Sequence, residues 1–374
     1  MREVLSALME RYHVGESVGI GTVVATFRSA PRPPGASMLV SQRGEVFGSV
    51  SGGCVEGAVY ELASEVLSSG EPTLERFGIS DDDAFGVGLT CGGILDVYIE
   101  KIDRTTFPEL AGVVEDIRQD RPVAIATVVE HPDAAWVGHR MVIRPGREQA
   151  GTLGSARADS AVLEDALGLV AGGRSSALTY GPDGQRMAEG MRVFVSTFAP
   201  QPRMLVFGAI DFAAAVAKVG SFLGYRVTVC DARPIFATNA RFPAADEVVV
   251  EWPHRYLARQ LEQGALDSRT AVVVLTHDHK FDVPLLEVAL REPGLAYVGA
   301  MGSRRTHEDR VSRLCEAGIT DDELAGLSSP IGLDLGARTP EETAISIAAE
   351  IIARQWGGNG ERLRERQGPI HARG

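Results

Sequence analysis

The chain has 374 residues, with 44 % apolar and 23 % charged positions, an ordinary globular composition with room for one to three cores. A formal net charge of −13 argues against nucleic acid or anionic membrane as a partner, and no apolar run is long enough to cross a bilayer. Cys54, Cys91, Cys230 and Cys315 lie far apart without a C-x-x-C pair. That usage fits a reducing compartment, here the cytoplasm, rather than a disulfide framework, and it gives no support to a zinc site of the usual kind.

The first element is a helical stripe, Val4, Leu5, Leu8, Met9 and Tyr12, with Glu3 and Glu10 beside it. An internal repeat follows. Met38-Leu-Val aligns with Met141-Val-Ile, Gly48 with Gly151, Ala58-Val59 with Ala161-Val162 and Glu61 with Glu164, all at an offset of 103 residues. Each copy reads strand, hairpin, glycine turn, helix, strand. The copies, about 15–105 and 120–198, are expected to pack as one two-copy α/β domain over 1–199; two unrelated α/β units are the alternative. The repeat also serves as a control. Gly48-Ser-Val-Ser-Gly-Gly-Cys54-Val-Glu56 becomes Gly151-Thr-Leu-Gly-Ser-Ala-Arg157-Ala-Asp159, so the glycine and the acid persist while the cysteine does not.

Ala199-Pro-Gln-Pro202 ends this half, and a second domain is expected over 200–374. Strands are expected at Arg203–Phe207, Arg226–Cys230, Glu247–Glu251, Ala271–Thr276 and Leu295–Gly299. Helices are expected at Phe212–Leu223, Tyr256–Gln263, Val283–Leu290 and Thr306–Glu316, with a last one opening on the capping box Thr339-Pro-Glu-Glu342. Valine-rich strands alternating with helices predict a doubly wound, Rossmann-like parallel sheet.

Ligands of such sheets bind beyond the carboxyl ends of the strands. At the first strand end, Gly208 with Asp231 23 residues later has the spacing of a dinucleotide site. Ile210 stands where a second glycine should admit a pyrophosphate, however, and Asp211 would repel it. NAD(P) is therefore not expected to bind, and the alternative is a fold kept as scaffold. Gly302-Ser303-Arg304-Arg305 precedes a helix and suits an anion such as phosphate, or is a solvated basic turn. His277, Asp278 and His279 point in different directions from a loop start, so a capping network is favoured over a metal site; one histidine could still serve as acid or base. Cys54 lies beside Gly52 and Gly53 before a helix, where a thiolate is favoured, and Cys91 lies beside Gly92. Both are candidate reactive thiols, the alternative being inert core cysteines. Cys230 and Cys315 read as ordinary core positions.

Ser51-Gly-Gly-Cys-Val-Glu56 and Leu89-Thr-Cys-Gly-Gly93 resemble the N-terminal domain of the XdhC/CoxI family of maturation factors for xanthine and carbon-monoxide dehydrogenases. Asp231-Ala-Arg-Pro234, Thr276-His-Asp-His279, Tyr297-Val-Gly-Ala-Met-Gly-Ser-Arg304, Ser329-Pro-Ile-Gly-Leu333 and Thr339-Pro-Glu-Glu-Thr-Ala-Ile-Ser346 resemble its Rossmann-like domain. The resemblance covers nearly the whole chain in the right order. It implies a non-catalytic chaperone that binds molybdopterin, the molybdenum cofactor, and shelters it while a cysteine desulfurase supplies a sulfido ligand. The cofactor is then handed to an apo molybdenum hydroxylase. Where family members often carry Gly-Ala-Gly-His, this chain has Gly208-Ala-Ile-Asp211. The competing reading is an NAD(P)-dependent oxidoreductase with a degenerate fingerprint. The client and the oligomeric state, a homodimer included, stay open.

Overall fold

The computed structural model describes residues 1–27, 32–78, 93–276 and 278–365. The chain forms two compact units, one over Met1–Pro200 and the other beginning at Gln201.

In the first unit, α1 (Leu5–Val14) leads into β1 (Val18–Phe27), β2 (Ser37–Ser41) and β3 (Val46–Gly48). Helix α2 (Glu56–Ser69), β4 (Thr73–Phe77) and β5 (Ile94–Ile102) complete the first copy. After α3 (Leu110–Arg118) the pattern recurs as β6 (Val123–Glu130), β7 (Arg140–Ile143), β8 (Ala150–Thr152), α4 (Ala156–Gly172), β9 (Ser176–Tyr180) and β10 (Met191–Phe198). The two antiparallel sheets have the same strand order, β3-β2-β1-β5-β4 and β8-β7-β6-β10-β9, so the expected two-copy architecture is present.

Residues facing alternate sides of each strand divide the cores. Met38 and Val40 of β2 pack with Val59 and Ala63 of α2. Leu39, between them, faces a core that Leu8, Leu110 and Val113 share with Val123, Ile125 and Val142 of the second copy. Each copy thus has its own helix on one face and a common core on the other. Gly48 and Gly151 both have left-handed backbones, φ 74° and 79°. A Cβ would land on the carbonyl oxygen of Ser37 in one copy and of Arg140 in the other, which is why this glycine recurs.

The second unit contains β11 (Arg203–Phe207), α5 (Asp211–Phe222), β12 (Arg226–Asp231), β13 (Glu247–Val250) and α6 (Pro253–Glu262). It continues with β14 (Ala271–Val274), α7 (His279–Leu290), β15 (Tyr297–Ala300), α8 (Arg304–Glu316), the short α9 (Asp321–Leu324), β16 (Leu327–Ser328) and α10 (Pro340–Trp356). All six strands are parallel, in the order β13-β12-β11-β14-β15-β16. This is the doubly wound arrangement, and its switch point lies between β11 and β14. Met204 and Val206 face α5 and α10, while Leu205 and Phe207 face the core that contains Tyr256, Leu285 and Leu314.

Several expectations need correction. Helix α6 begins at Pro253 rather than Tyr256, α7 begins at His279 rather than Val283, and β14 ends at Val274 rather than Thr276. Helix α8 begins at Arg304 rather than Thr306, so both arginines belong to its first turn. Cys315, read as a core position, is exposed, because Arg310 and Leu314 occupy the buried face of α8 and the next residue turns outward. Among the described residues, no helix is long and apolar enough to cross a membrane.

Candidate functional site

The loop before α2 is built around one carboxylate. Glu56 is the first residue of α2, and its Oε1 accepts from the Ser49 hydroxyl at 2.6 Å and from the amides of Ser51 and Gly52 at 2.9 and 3.0 Å. Its Oε2 accepts from the amides of Gly53 at 2.8 Å and Val55 at 3.2 Å. Successive amides converging on one point make an anion-binding concavity, and here the protein's own carboxylate fills it. Burial opposes the charge of Glu56, but the Ser49 and Ser51 bonds outweigh burial and hold the carboxyl down to about 2.

Cys54 rides on this loop, half-buried, with its amide donating to the Ser51 hydroxyl at 2.9 Å. The second copy shows what is special here. Ser155 caps α4, which starts at Ala156, so Arg157 is already helical. At the matching offset in the first copy, Gly53, Cys54 and Val55 are still outside the helix. Gly52 and Gly53, at φ 80° and 120°, supply the left-handed backbone that delays it. Among the described residues, no atom beyond the chain neighbours lies within 4 Å of where a Cβ would stand on either glycine. The acid itself recurs. Asp159 accepts from the Thr152 hydroxyl at 2.8 Å and the Leu153 amide at 2.7 Å. Cys91 and Gly92 lie outside the described residues, as does His277.

The second candidate region is the carboxyl edge of the parallel sheet. Asp231 is buried at the end of β12, and both of its oxygens are engaged. Oδ2 accepts from the Ala209 amide at 2.8 Å, and the Arg233 guanidinium spans both oxygens at 2.9 and 2.8 Å. Burial disfavours its charge, yet Arg233 and the Ala209 amide hold its carboxyl below the usual range. Asp231 therefore braces the Gly208 loop in this arrangement. Asp211 opens α5 and meets Arg241 at 3.2 Å, which places a carboxylate where a pyrophosphate would approach the helix.

Asp278 caps α7 by accepting from the Lys280 amide at 3.1 Å, and His279 meets Asp309 of α8 at 3.3 Å. At the end of β15, the Ser303 hydroxyl caps α8 by accepting from the Thr306 amide at 3.2 Å. Ser303, Arg304 and Arg305 are exposed, and among the described residues neither arginine has an ion-pair or hydrogen-bond partner. A helix amino end with two exposed guanidinium groups has the donors a phosphate requires, although the Arg305 charge already acts on the Asp309 carboxylate.

Other polar groups on this edge were not legible as site residues. Asp282 of α7 and Arg310 of α8 form a buried ion pair, and the Thr276 hydroxyl, two residues past β14, is buried without a partner among the described residues. Glu56 did carry a signal, since the offset of 103 pairs it with Asp159.

Residues 204–351 match the XdhC Rossmann domain, and residues 12–78 and 116–181 match the XdhC and CoxI family. The chain is 28 % identical to a Bacillus subtilis (strain 168) protein described as a probable xanthine dehydrogenase component, over 93 % of this chain and 96 % of that one. It is 27 % identical to the molybdenum cofactor insertion chaperone PaoD of Escherichia coli (strain K12), over 94 % and 88 %. A crystal structure described as a xanthine dehydrogenase from Bacillus halodurans shares the fold, with a TM-score of 0.66 at 24 % identity, over 97 % of this chain and 96 % of that one.

Proposed function

Because the chain belongs to the XdhC and CoxI family, we propose that it is a molybdenum cofactor insertion chaperone serving a molybdenum hydroxylase of the xanthine or carbon-monoxide dehydrogenase type. The observation that carries this reading is the similarity to PaoD along nearly the full length of both chains. The cargo is molybdopterin bearing molybdenum, and the work is to bind it, shelter it during sulfuration by a cysteine desulfurase, and release it to the apo-enzyme in the cytoplasm. No substrate needs to be turned over.

The residues fit such a cargo in two places. The α8 amino end, with Gly302, Ser303, Arg304 and Arg305, offers donors to a phosphate tail. Gly52 and Gly53, which no described residue beyond their chain neighbours crowds, precede Cys54, and a thiol is the side chain suited to a soft metal–sulfur group. Gly208, Asp231, Asp278 and His279 shape the sheet edge beside the first of these places. Cys91, Gly92 and His277 belong to the same proposal by sequence.

Nicotinamide chemistry is disfavoured by the engaged carboxylate of Asp231 and by Asp211 at the head of α5. The test is a direct comparison. Purified protein is titrated with molybdopterin and with NADH and NADPH, then mixed with an apo molybdenum hydroxylase. Retention of molybdopterin and activation of the apo-enzyme support the proposal. Tight NAD(P)H binding without either would replace it with the oxidoreductase reading.

A further inference from the structure

The buried pair of Asp282 and Arg310 has no part in the function proposed above. Their side chains are 2 % and 1 % exposed, and Arg310 Nη2 meets Asp282 Oδ2 at 3.1 Å. Removing two charges from water is expensive, and apolar residues of similar volume usually serve stability as well or better. What else the guanidinium touches is therefore informative. Nη2 also donates to the Met301 carbonyl at 2.8 Å, and Nη1 donates to the Ser329 hydroxyl at 3.1 Å. Met301 leads into the loop before α8, and Ser329 follows β16. Gly302 lies directly over the guanidinium, since a Cβ there would stand 3.6 Å from Arg310 Nη1 and 3.1 Å from Thr306. One planar fork thus ties α7, the β15–α8 loop and the exit of β16 together.

We propose that Arg310, held by Asp282, is the positioning residue that fixes the Gly302–Arg305 loop in its anion-binding conformation. It acts through the loop and does not touch the ligand. The inference rests on the anion-site reading given under the proposed function.

The experiment uses the full chain and inorganic pyrophosphate, titrated calorimetrically. Arg304→Ala tests the anion site itself and is expected to bind at least tenfold more weakly. The double variant Asp282→Leu/Arg310→Met removes both charges together, so the fold is expected to survive with an unchanged melting temperature. It is nevertheless expected to bind pyrophosphate at least tenfold more weakly, with Arg310→Lys recovering part of the loss. Wild-type affinity in the double variant overturns the positioning role while leaving the anion site standing. Should the double variant not fold, Arg310→Lys decides: wild-type affinity there overturns the role, and a partial loss supports it. No binding by the unaltered protein removes the anion site, and this proposal with it.

Discussion

The hydroxyl of Ser49 donates to the carboxylate of Glu56 across 2.6 Å, and that bond closes the loop on which Cys54 sits. The loop carries an anion-binding set of amides whose anion is built into the chain. Its shape therefore depends on one ionised side chain.

Glu56→Gln is expected to destabilise the protein by about 1–2 kcal/mol, since hydrogen bonds to charge are lost from a partly exposed group. The pH dependence has a definite sign. The folded carboxyl lies near 2, below its ordinary 4.5, so its stabilisation is complete above 4.5 and is lost as pH falls toward 2. Urea unfolding at pH 7 and pH 3 checks this, because the gap between wild type and Glu56→Gln should narrow at the lower pH.

Cys54 should react with a thiol reagent at least tenfold faster than Cys230, which is buried and whose thiol burial pushes up. Cys315 is exposed and will label as well, so the rates need peptide mapping. Cys54→Ser should keep the fold and lose activation of the client enzyme, whereas Cys230→Ser and Cys315→Ser should keep both. A client activated at the wild-type rate by Cys54→Ser would move the role to Cys91.

Gly70 ends α2 at φ 80° with no described residue beyond its chain neighbours within 4 Å of an added Cβ, so Gly70→Ala should lower stability by about 1–2 kcal/mol through backbone strain. Gly48→Ala and Gly151→Ala should each lower it by more, because the added methyl also strikes a neighbouring carbonyl. Equal urea midpoints for the three variants would contradict this account.

Calorimetric titration with NAD(H) should show no micromolar binding, which would amount to about −8 kcal/mol. Asp231→Ala should then act on stability, by roughly 1.5–3 kcal/mol, because the Arg233 guanidinium and the Ala209 amide lose their partner. Micromolar affinity that Asp231→Ala abolishes would return Asp231 to the role of ribose acceptor.

Much of the architecture was legible because local pattern and packing agree. Alternation along Met38, Leu39 and Val40, valine-rich strands, and the capping box at Thr339 each reflect a local rule that the fold obeys. The repeat was visible because Gly48 and Gly151 satisfy the same backbone demand. The two-residue strand β16 left no trace, since it is held by its neighbour β15 and not by its own composition. Within the sites, Cys54 and Arg304 stood out by residue type and setting. The partners that position them did not. An arginine inside the polar helix α8 reads as a solvated residue, and only the packing of α7 against α8 reveals Arg310 as buried. Cys315 misled for the same reason, one residue past the buried face.

Each of the three sheets is drawn from one uninterrupted stretch of chain, and that has a consequence during synthesis. The first five strands are complete at Ile102, so a nascent chain could pair them before the second copy leaves the ribosome. Leu8, Ile20 and Leu39 would still face water, because Val123, Ile125, Val142 and Phe198 cover them in the finished unit. Such an intermediate would hold a formed sheet with one sticky side until Phe198 has emerged from the ribosome. A pause after the first copy has emerged from the ribosome and before Phe198 has emerged would prolong that exposure.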